Sequence, residues 1–119
     1  MRSDTSVAIP VPHAKCQKNA FEWNNWPYPA SFDHNCDTAA PTAAILLHDE
    51  LNVHAKLFMG NVNRKKCDLN RPACRKQPIR REIDHWVDKQ MKRKKYVWVL
   101  DVHSYPPVGR YRRYDMYIL

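Results

Sequence analysis

Two histidines in this chain of 119 residues stand at the ends of apolar segments. His13 ends the segment "SVAIPVPH", and His103 follows "YVWVLDV", in which Asp101 lies two residues before it. Side chains alternate along a strand, so Asp101 and His103 should face the same side of a sheet. Such a pair suits a metal-binding histidine with a supporting carboxylate, or a general base that an acid orients.

A metal site would need a further ligand from elsewhere in the chain. Two histidines and one carboxylate with an open fourth position make a hydrolytic zinc site. Asp37 is the candidate for the acidic ligand, and His34 competes with it. The same residues can also be explained by structural roles without a metal. A histidine at a strand end is more often a hydrogen-bonded polar group, and Asp37 also suits the positive end of a helix.

The elements that must position these residues alternate between strand and helix. The spacing of apolar residues predicts strands at 6–13, 56–62, 96–102 and 114–119. It also predicts a mostly buried helix over 38–55 and an amphipathic helix from Pro78. We therefore predict one α/β domain over residues 1–119, with a doubly wound, mostly parallel sheet of about four strands flanked by helices. The strand at 96–102 is apolar on both faces, which is typical of a central strand.

Two long loops belong to the same prediction. Residues 14–37 are rich in aromatic residues and proline, and residues 63–78 are basic and contain Asp-Leu-Asn-Arg. In open parallel sheets, ligands bind beyond the carboxyl ends of the strands, where loops converge. We therefore expect His13, the segment that starts at Asn63, and His103 to meet at one edge of the sheet.

The net charge of +8 favours anionic partners, and most basic residues lie between Arg64 and Arg113. A nucleic acid, an acidic protein surface or a small carboxylate would each fit this charge, and so would a solvated basic face without a partner. The sequence carries no signature of a nucleic-acid-binding fold, so nucleic acid is the weakest of these predictions.

The four cysteines form no Cys-x-x-Cys pair, which argues against a zinc ribbon or a redox motif. We predict free thiols in a reducing compartment; a secreted protein would instead carry two disulfides. No apolar run of about 18 residues is present, and the first residues lack the layout of a secretory signal. The sequence thus predicts a cytoplasmic protein with no membrane partner.

Four segments of the chain together resemble a known family. The segments "VPHAKC", "CDTAAPTAAILLHDEL", "GNVNRKKCDLNRP" and "LDVHSYPP" are similar in order and spacing to the N-formylglutamate amidohydrolases. These enzymes are relatives of the zinc carboxypeptidases and share their phosphorylase/hydrolase-like fold. The resemblance extends from about Val7 to Pro107, and Asp-Leu-Asn-Arg and Asp-x-His-Ser are its most specific parts.

The resemblance implies a function for particular residues of this chain. It implies three zinc ligands, His13, Asp37 and His103. It also implies that Arg71, together with Asn70 and Arg64, binds the carboxylate of an acylated amino acid, for which a planar guanidinium is suited. The structural alternative for Arg71 is a salt bridge with Asp68.

The chain also departs from the family pattern. Family members are longer, and in the zinc carboxypeptidase relatives a glutamate beyond the Asp-x-His-Ser strand acts as general acid and base. Residues 105–119 contain no glutamate, so Glu50 and Asp101 are the candidates to replace it. A sheet truncated at the C-terminus would leave an open edge for a partner protein or a second copy of the chain.

Two functions from different classes therefore follow. One is a zinc amidohydrolase that cleaves the amide bond of an N-acyl (formyl-type) amino acid or short peptide. The other is a catalytically inactive relative that serves as a basic structural or binding component of a larger assembly.

Overall fold

The structure of this chain, a computed structural model, describes residues 4–16, 36–51 and 53–104. Within these ranges lie three strands and two α-helices: β1 (Thr5–Val11), α1 (Ala40–Glu50), β2 (His54–Met59), α2 (Pro78–Met91) and β3 (Tyr96–Val99). A short 3₁₀ helix, Pro72–Cys74, precedes α2. The strands form a parallel sheet in the order β2-β1-β3, which confirms the predicted α/β class.

The two helices pack against opposite faces of the sheet. One core joins alternate residues of β1 to α1 and contains Val7, Ile9, Val11, Ala40 and Ala44. The other joins the opposite face to α2 and contains Ala8, Phe58, Ile83 and Trp86. Because successive side chains of a strand point to opposite faces, β1 supplies residues to both cores and is buried over nearly its whole length.

Both helices have proline in the first turn; α2 begins at Pro78 as predicted, and α1 begins at Ala40, two residues after the predicted start. Pro41 lies in the first turn of α1, and Pro78 is the first residue of α2. Proline is tolerated there because its missing N–H would have no partner inside the helix. None of the helices in the described part of the chain is long and apolar enough to cross a membrane.

The first helix is shorter and less buried than predicted. It ends at Glu50, and His54 and Ala55, which were predicted to be helical, belong to β2. Ala55 pairs with β1 and packs against the α1 core, so strand pairing overrides the helical spacing of the local sequence. Ile45 and Leu46 are 45% and 60% exposed, because only one side of α1 faces the sheet.

The prediction of a central third strand is also wrong. β1 lies in the middle, and β3 lies at an edge of the three-stranded sheet formed by the described residues. Trp98 and Val99 of β3 are 58% and 50% exposed. The predicted fourth strand, at 114–119, lies outside the described residues.

Backbone hydrogen bonds continue the sheet toward its carboxyl edge. Leu100 N–H donates to the carbonyl of Ala8, and Val102 N–H donates to the carbonyl of Pro10, both at 2.9 Å. On the other side of β1, Gly60 approaches so closely that a Cβ there would collide with the Pro12 carbonyl oxygen. The chain therefore leaves all three strands at one edge, as the sequence predicts.

The four cysteines form two disulfides, Cys16–Cys36 and Cys67–Cys74. The prediction of free thiols is therefore wrong. The paired Cα atoms are 5.1 and 5.9 Å apart, within the usual range for a disulfide. Spacing along the sequence cannot give this pairing, because it depends on how the fold brings distant segments together.

Candidate metal centre

The three predicted metal ligands meet at the carboxyl edge of the sheet. One ligand atom from each of His13, Asp37 and His103 lies within 4.8 Å of the others. Oδ2 of Asp37 is 2.9 Å from Nδ1 of His103 and 3.7 Å from Nδ1 of His13. The rings of the two histidines are tilted, with centroids 5.1 Å apart.

Backbone contacts tie these residues to the sheet. His13 follows β1 by two residues and is buried. Its carbonyl accepts a hydrogen bond of 2.8 Å from the N–H of Asp37. The N–H of Ala39 donates to Oγ of Ser104 at 3.1 Å, so the segment before α1 is joined to the chain after β3. Two separate hydrogen bonds thus hold the acid beside both strand ends.

A turn at residues 68–70 contacts both histidines from the other side. Oδ1 of Asp68 is 2.8 Å from Nε2 of His13 and also accepts the N–H of Asn70 at 3.0 Å. The side-chain amide of Asn70 lies 3.2 Å from Nε2 of His103. In each histidine, therefore, Nδ1 faces Asp37 while Nε2 faces this turn.

The contacts within the cluster shift three pKa values. The Asp37 carboxylate raises the pKa of His13 above its usual value; burial opposes this effect, and Asp68 adds to it. Burial alone would raise the pKa of Asp37, but its contacts with His103 and His13 outweigh burial and lower it. Burial alone would also raise the pKa of Asp68. Its contact with His13, the N–H of Asn70 and the charge of Arg64 outweigh burial and lower this pKa. Protonated histidine and ionised carboxylates therefore stabilise one another in the metal-free protein.

Two of the three ligand separations are close to those around a tetrahedral metal ion. Zinc–ligand bonds of about 2.0–2.1 Å would place neighbouring ligand atoms roughly 3.3 Å apart. The separations of 2.9 and 3.7 Å from Oδ2 of Asp37 to the two Nδ1 atoms bracket that value. Metal-binding histidines generally place their other ring nitrogen against a carboxylate or another polar group, which Asp68 and Asn70 supply here.

The predicted carboxylate-binding residues lie next to this cluster. The side chain of Arg71 is 77% exposed. Its Nε lies 3.7 Å from Oδ2 of Asp68, so the alternative prediction, a salt bridge between these two residues, is present as a loose contact. Arg64 is exposed and close enough to lower the pKa of Asp68. Asn70, in contrast, contacts a metal-ligand candidate directly.

A cleft of about 600 Å³ is lined by residues that include sequence neighbours of the cluster but none of His13, Asp37, Asp68 and His103. Its lining includes the basic side chains of Lys15 and Lys66 and the half-cystines Cys16 and Cys67, together with polar and apolar residues of the segments after β2. This volume is within the range of small-molecule sites. Asn63 supports one wall, because its side-chain amide donates to the carbonyl of Lys15 at 2.8 Å.

The structure does not bring either candidate catalytic acid into the cluster. Glu50 is the last residue of α1, ten residues beyond Ala40, so roughly 15 Å of helix separates it from the end where Asp37 lies. Asp101 is exposed, and its side chain makes no hydrogen bond or ion pair within the described ranges. His34, the alternative ligand, lies outside the described residues.

Sequence reasoning missed Asp68 as a member of the cluster and considered it only as a partner for Arg71. A signal was present, because aspartate two residues before asparagine favours a local turn that presents its carboxylate. No protein-family model, curated protein or solved structure matches this chain.

Proposed function

We propose that this chain is a zinc-dependent amidohydrolase that cleaves an N-acyl amino acid or a short peptide. The observation that carries the proposal is the convergence of His13, Asp37 and His103 from three separate segments, with their ligand atoms within 4.8 Å. The resemblance of the surrounding motifs to the N-formylglutamate amidohydrolases adds to it.

The charge of the cluster favours a bound cation. The pKa values of Asp37 and Asp68 are lowered, and the raised pKa of His13 favours a proton on its ring, which offsets one of the two negative charges. A divalent metal bound by Nδ1 of His13 would replace that proton. Asp68 would then accept a hydrogen bond from Nε2–H of His13. With its side-chain amide flipped, Asn70 would accept one from Nε2–H of His103 through its amide oxygen.

Zinc held there would lower the pKa of water toward 7 and polarise an amide carbonyl, which is the chemistry that hydrolysis needs. The protein's own residues would orient the substrate. The exposed guanidinium of Arg71 is available to a carboxylate, since its contact with Asp68 involves a single Nε atom at 3.7 Å. The cleft that Lys15 and Lys66 line has the volume of a small-molecule site, and Cys67 in its lining directly precedes Asp68.

The inactive relative is the second candidate, and one observation favours it. Among the described residues, the carboxylates that contact the two histidines are Asp37 and Asp68, and both have the role of a ligand or its support. No further acid there serves as general base. A metal-binding protein without turnover, whose basic surface and β3 edge bind a partner protein or a second copy, would have the same cluster.

The two disulfides weigh against the predicted cytoplasmic location. Disulfides persist in oxidising compartments and are rare in the cytosol, where thiols are kept reduced. We therefore propose that the protein works under oxidising conditions.

Metal analysis tests the proposal directly. Elemental mass spectrometry of the purified protein should find about one zinc per chain, and His103→Ala should lose it. His85→Ala, which changes an exposed histidine on α2, is the matched control and should retain the metal. A native protein that takes up no zinc, even after incubation with the ion, would overturn the metal site.

Activity separates the two candidates. Zinc-loaded protein should release amine from N-formyl amino acids, and Arg71→Lys should raise KM more than it lowers kcat, because a lysine cannot form the two-pronged contact. Zinc binding without release of amine from any N-acyl amino acid would favour the inactive relative.

A further inference from the structure

Each acid of the metal cluster directly follows a half-cystine. Cys36 precedes Asp37, and Cys67 precedes Asp68. In both cases the cysteine is covalently joined to another segment, so the backbone immediately before each carboxylate is fixed by a disulfide. The same dipeptide, in the same relation to the site, therefore occurs twice in the chain.

The first disulfide joins the two segments that carry His13 and Asp37. Cys16 lies three residues after His13 and is paired with Cys36 across a sequence separation of 20 residues. Asp37 lies outside both helices and all three strands of the described chain. The disulfide therefore adds a covalent constraint to the hydrogen bond of 2.8 Å between the N–H of Asp37 and the carbonyl of His13.

The second disulfide closes the turn that contacts both histidines from the far side. Cys67 and Cys74 are seven residues apart and enclose Asp68, Asn70 and Arg71. The regular secondary structure within this span is a single 3₁₀ helix, Pro72–Cys74. A short covalent loop therefore replaces the support that a strand or a long helix would give to these side chains.

Neither disulfide belongs to the hydrophobic cores that hold the sheet to its helices. Those two clusters contain residues of the strands, of α1 and of α2, and no cysteine. Cys36 and Cys74 are buried, and the cleft lined by Lys15 and Lys66 has the other half-cystine of each disulfide in its lining. Both covalent links therefore lie next to the acids of the cluster in the sequence and outside the two clusters that join the sheet to its helices.

We propose that the two disulfides are positioning elements of the metal centre, so that its affinity for a divalent metal depends on their oxidised state. Cys16–Cys36 positions the acidic ligand, and Cys67–Cys74 positions the turn that orients the two histidine rings. This inference rests on the proposed function, because it requires that the cluster binds metal. In the reduction of one disulfide, two molecules of an external thiol supply two electrons and two protons and become joined as their own disulfide, while the protein's S–S bond breaks and leaves two free thiols.

The experiment is a zinc titration of the full chain against a chromophoric chelator, comparing the oxidised wild type with two double variants. We expect Cys16→Ser with Cys36→Ser to weaken zinc binding by at least about 100-fold, since it frees a metal ligand. We expect Cys67→Ser with Cys74→Ser to weaken it by about 10- to 100-fold, the range for residues that support metal ligands. Serine removes the possibility that released thiols bind the metal themselves.

A readout of geometry distinguishes positioning from general stabilisation. The visible spectrum of bound Co²⁺ should change in the double variants, because ligand number and angles determine it. Val7→Ala is the control: it alters the core in the amino half of β1, roughly 20 Å of strand before His13, and should lower the thermal midpoint while leaving zinc affinity and the Co²⁺ spectrum unchanged. Double variants that bind zinc as tightly as the wild type would overturn the inference.

A second measurement covers the case in which a double variant does not fold. If the disulfides strengthen zinc binding, thermodynamic reciprocity requires that zinc strengthens the disulfides by the same factor. Wild-type protein equilibrated in graded glutathione mixtures should therefore retain both disulfides at higher thiol concentration when zinc is saturating. Equal reduction with and without zinc would overturn the inference. Absence of zinc binding by the oxidised wild type would instead remove the proposed function itself.

Discussion

Two polar clusters lie at opposite ends of the same sheet, and they differ in charge more than in burial. At the carboxyl edge, His13 and His103 surround Asp37, and Asp68 lies behind His13. At the amino end, Oγ of Ser6 donates to Oε1 of Gln90 at 2.9 Å and lies 3.4 Å from Nδ1 of His54. Ser6 and Gln90 are as deeply buried as His13.

The difference shows what each cluster can do. Ser6 and Gln90 at the amino end are uncharged side chains that satisfy one another, so this pair is complete without any ion. The carboxyl-edge cluster contains two carboxylates with lowered pKa values, so one protonated histidine leaves a negative charge, whereas a divalent cation would neutralise both. Buried polarity alone therefore does not distinguish the two clusters, whereas the pair of carboxylates makes only the carboxyl-edge cluster a candidate cation site.

The largest expected effect comes from removing the charge of the central acid. Asp37→Asn keeps the shape of the side chain but weakens the carboxylate ligand that contacts both histidines. We expect zinc affinity to fall by more than about 100-fold, beyond the range of supporting residues. Isothermal titration with zinc measures it. Asp88→Asn, at an exposed position on α2, is the matched control, and equal affinities for the two variants would contradict the assignment.

A smaller loss is expected from Asp68→Asn. This residue contacts Nε2 of His13 and leaves Nδ1 facing Asp37, so its role is to orient the ring and increase its basicity. We expect zinc affinity to fall by about 10- to 100-fold. The same titration checks this value, and a loss as large as that of Asp37→Asn would mean that Asp68 is itself a ligand.

A substitution at the amino-end cluster should separate stability from metal binding. Gln90→Leu removes the acceptor of the buried Ser6 hydroxyl, which should cost about 1–3 kcal/mol in the free energy of unfolding. Zinc affinity should not change. Urea unfolding measures the first quantity, with Lys89→Gln, at the neighbouring exposed position, as control. A loss of zinc affinity in Gln90→Leu would show that the two clusters are coupled.

The smallest effect is a difference in pH dependence of the metal-free protein. The raised pKa of His13 contributes stability that is full below its usual value of 6.5 and is lost as pH rises through the raised pKa. The lowered pKa of Asp37 contributes stability that is full above 3.8 and is lost as pH falls through the lowered pKa. We therefore expect the carboxyl-edge cluster to contribute most between these two values.

Urea unfolding across this pH range, in the presence of a chelator, tests the expectation. Asp37→Asn should flatten both slopes, although Asp68 still supports the protonated form of His13. Gln90→Leu should lower the whole profile without changing its shape. Parallel profiles for wild type and Asp37→Asn would mean that the ion pairs of the cluster contribute nothing to stability.

Much of the fold could be predicted because local patterns carry it. Three features each depend only on residues that are close together in the sequence. They are the β-branched residues of β1, the first-turn prolines of both helices, and the amphipathic spacing from Ile79 to Met91. The helix-to-strand boundary after Glu50 could not be predicted in this way. Ala55 suits a helix locally and becomes a strand residue through its pairing with β1.

The sequence by itself determined which chemistry is available at one edge of the sheet. The alternation of strands and helices predicts a parallel sheet, which is enough to place His13 and His103 at the same edge. Asp37 could be named as a candidate ligand, but tertiary structure alone decided the contacts that these side chains make. Asp37 contacts His103 across 66 residues, Asp68 contacts His13 across 55, and each cysteine finds its partner in the folded chain. Such contacts depend on the path of whole loops, and no short sequence pattern records that path.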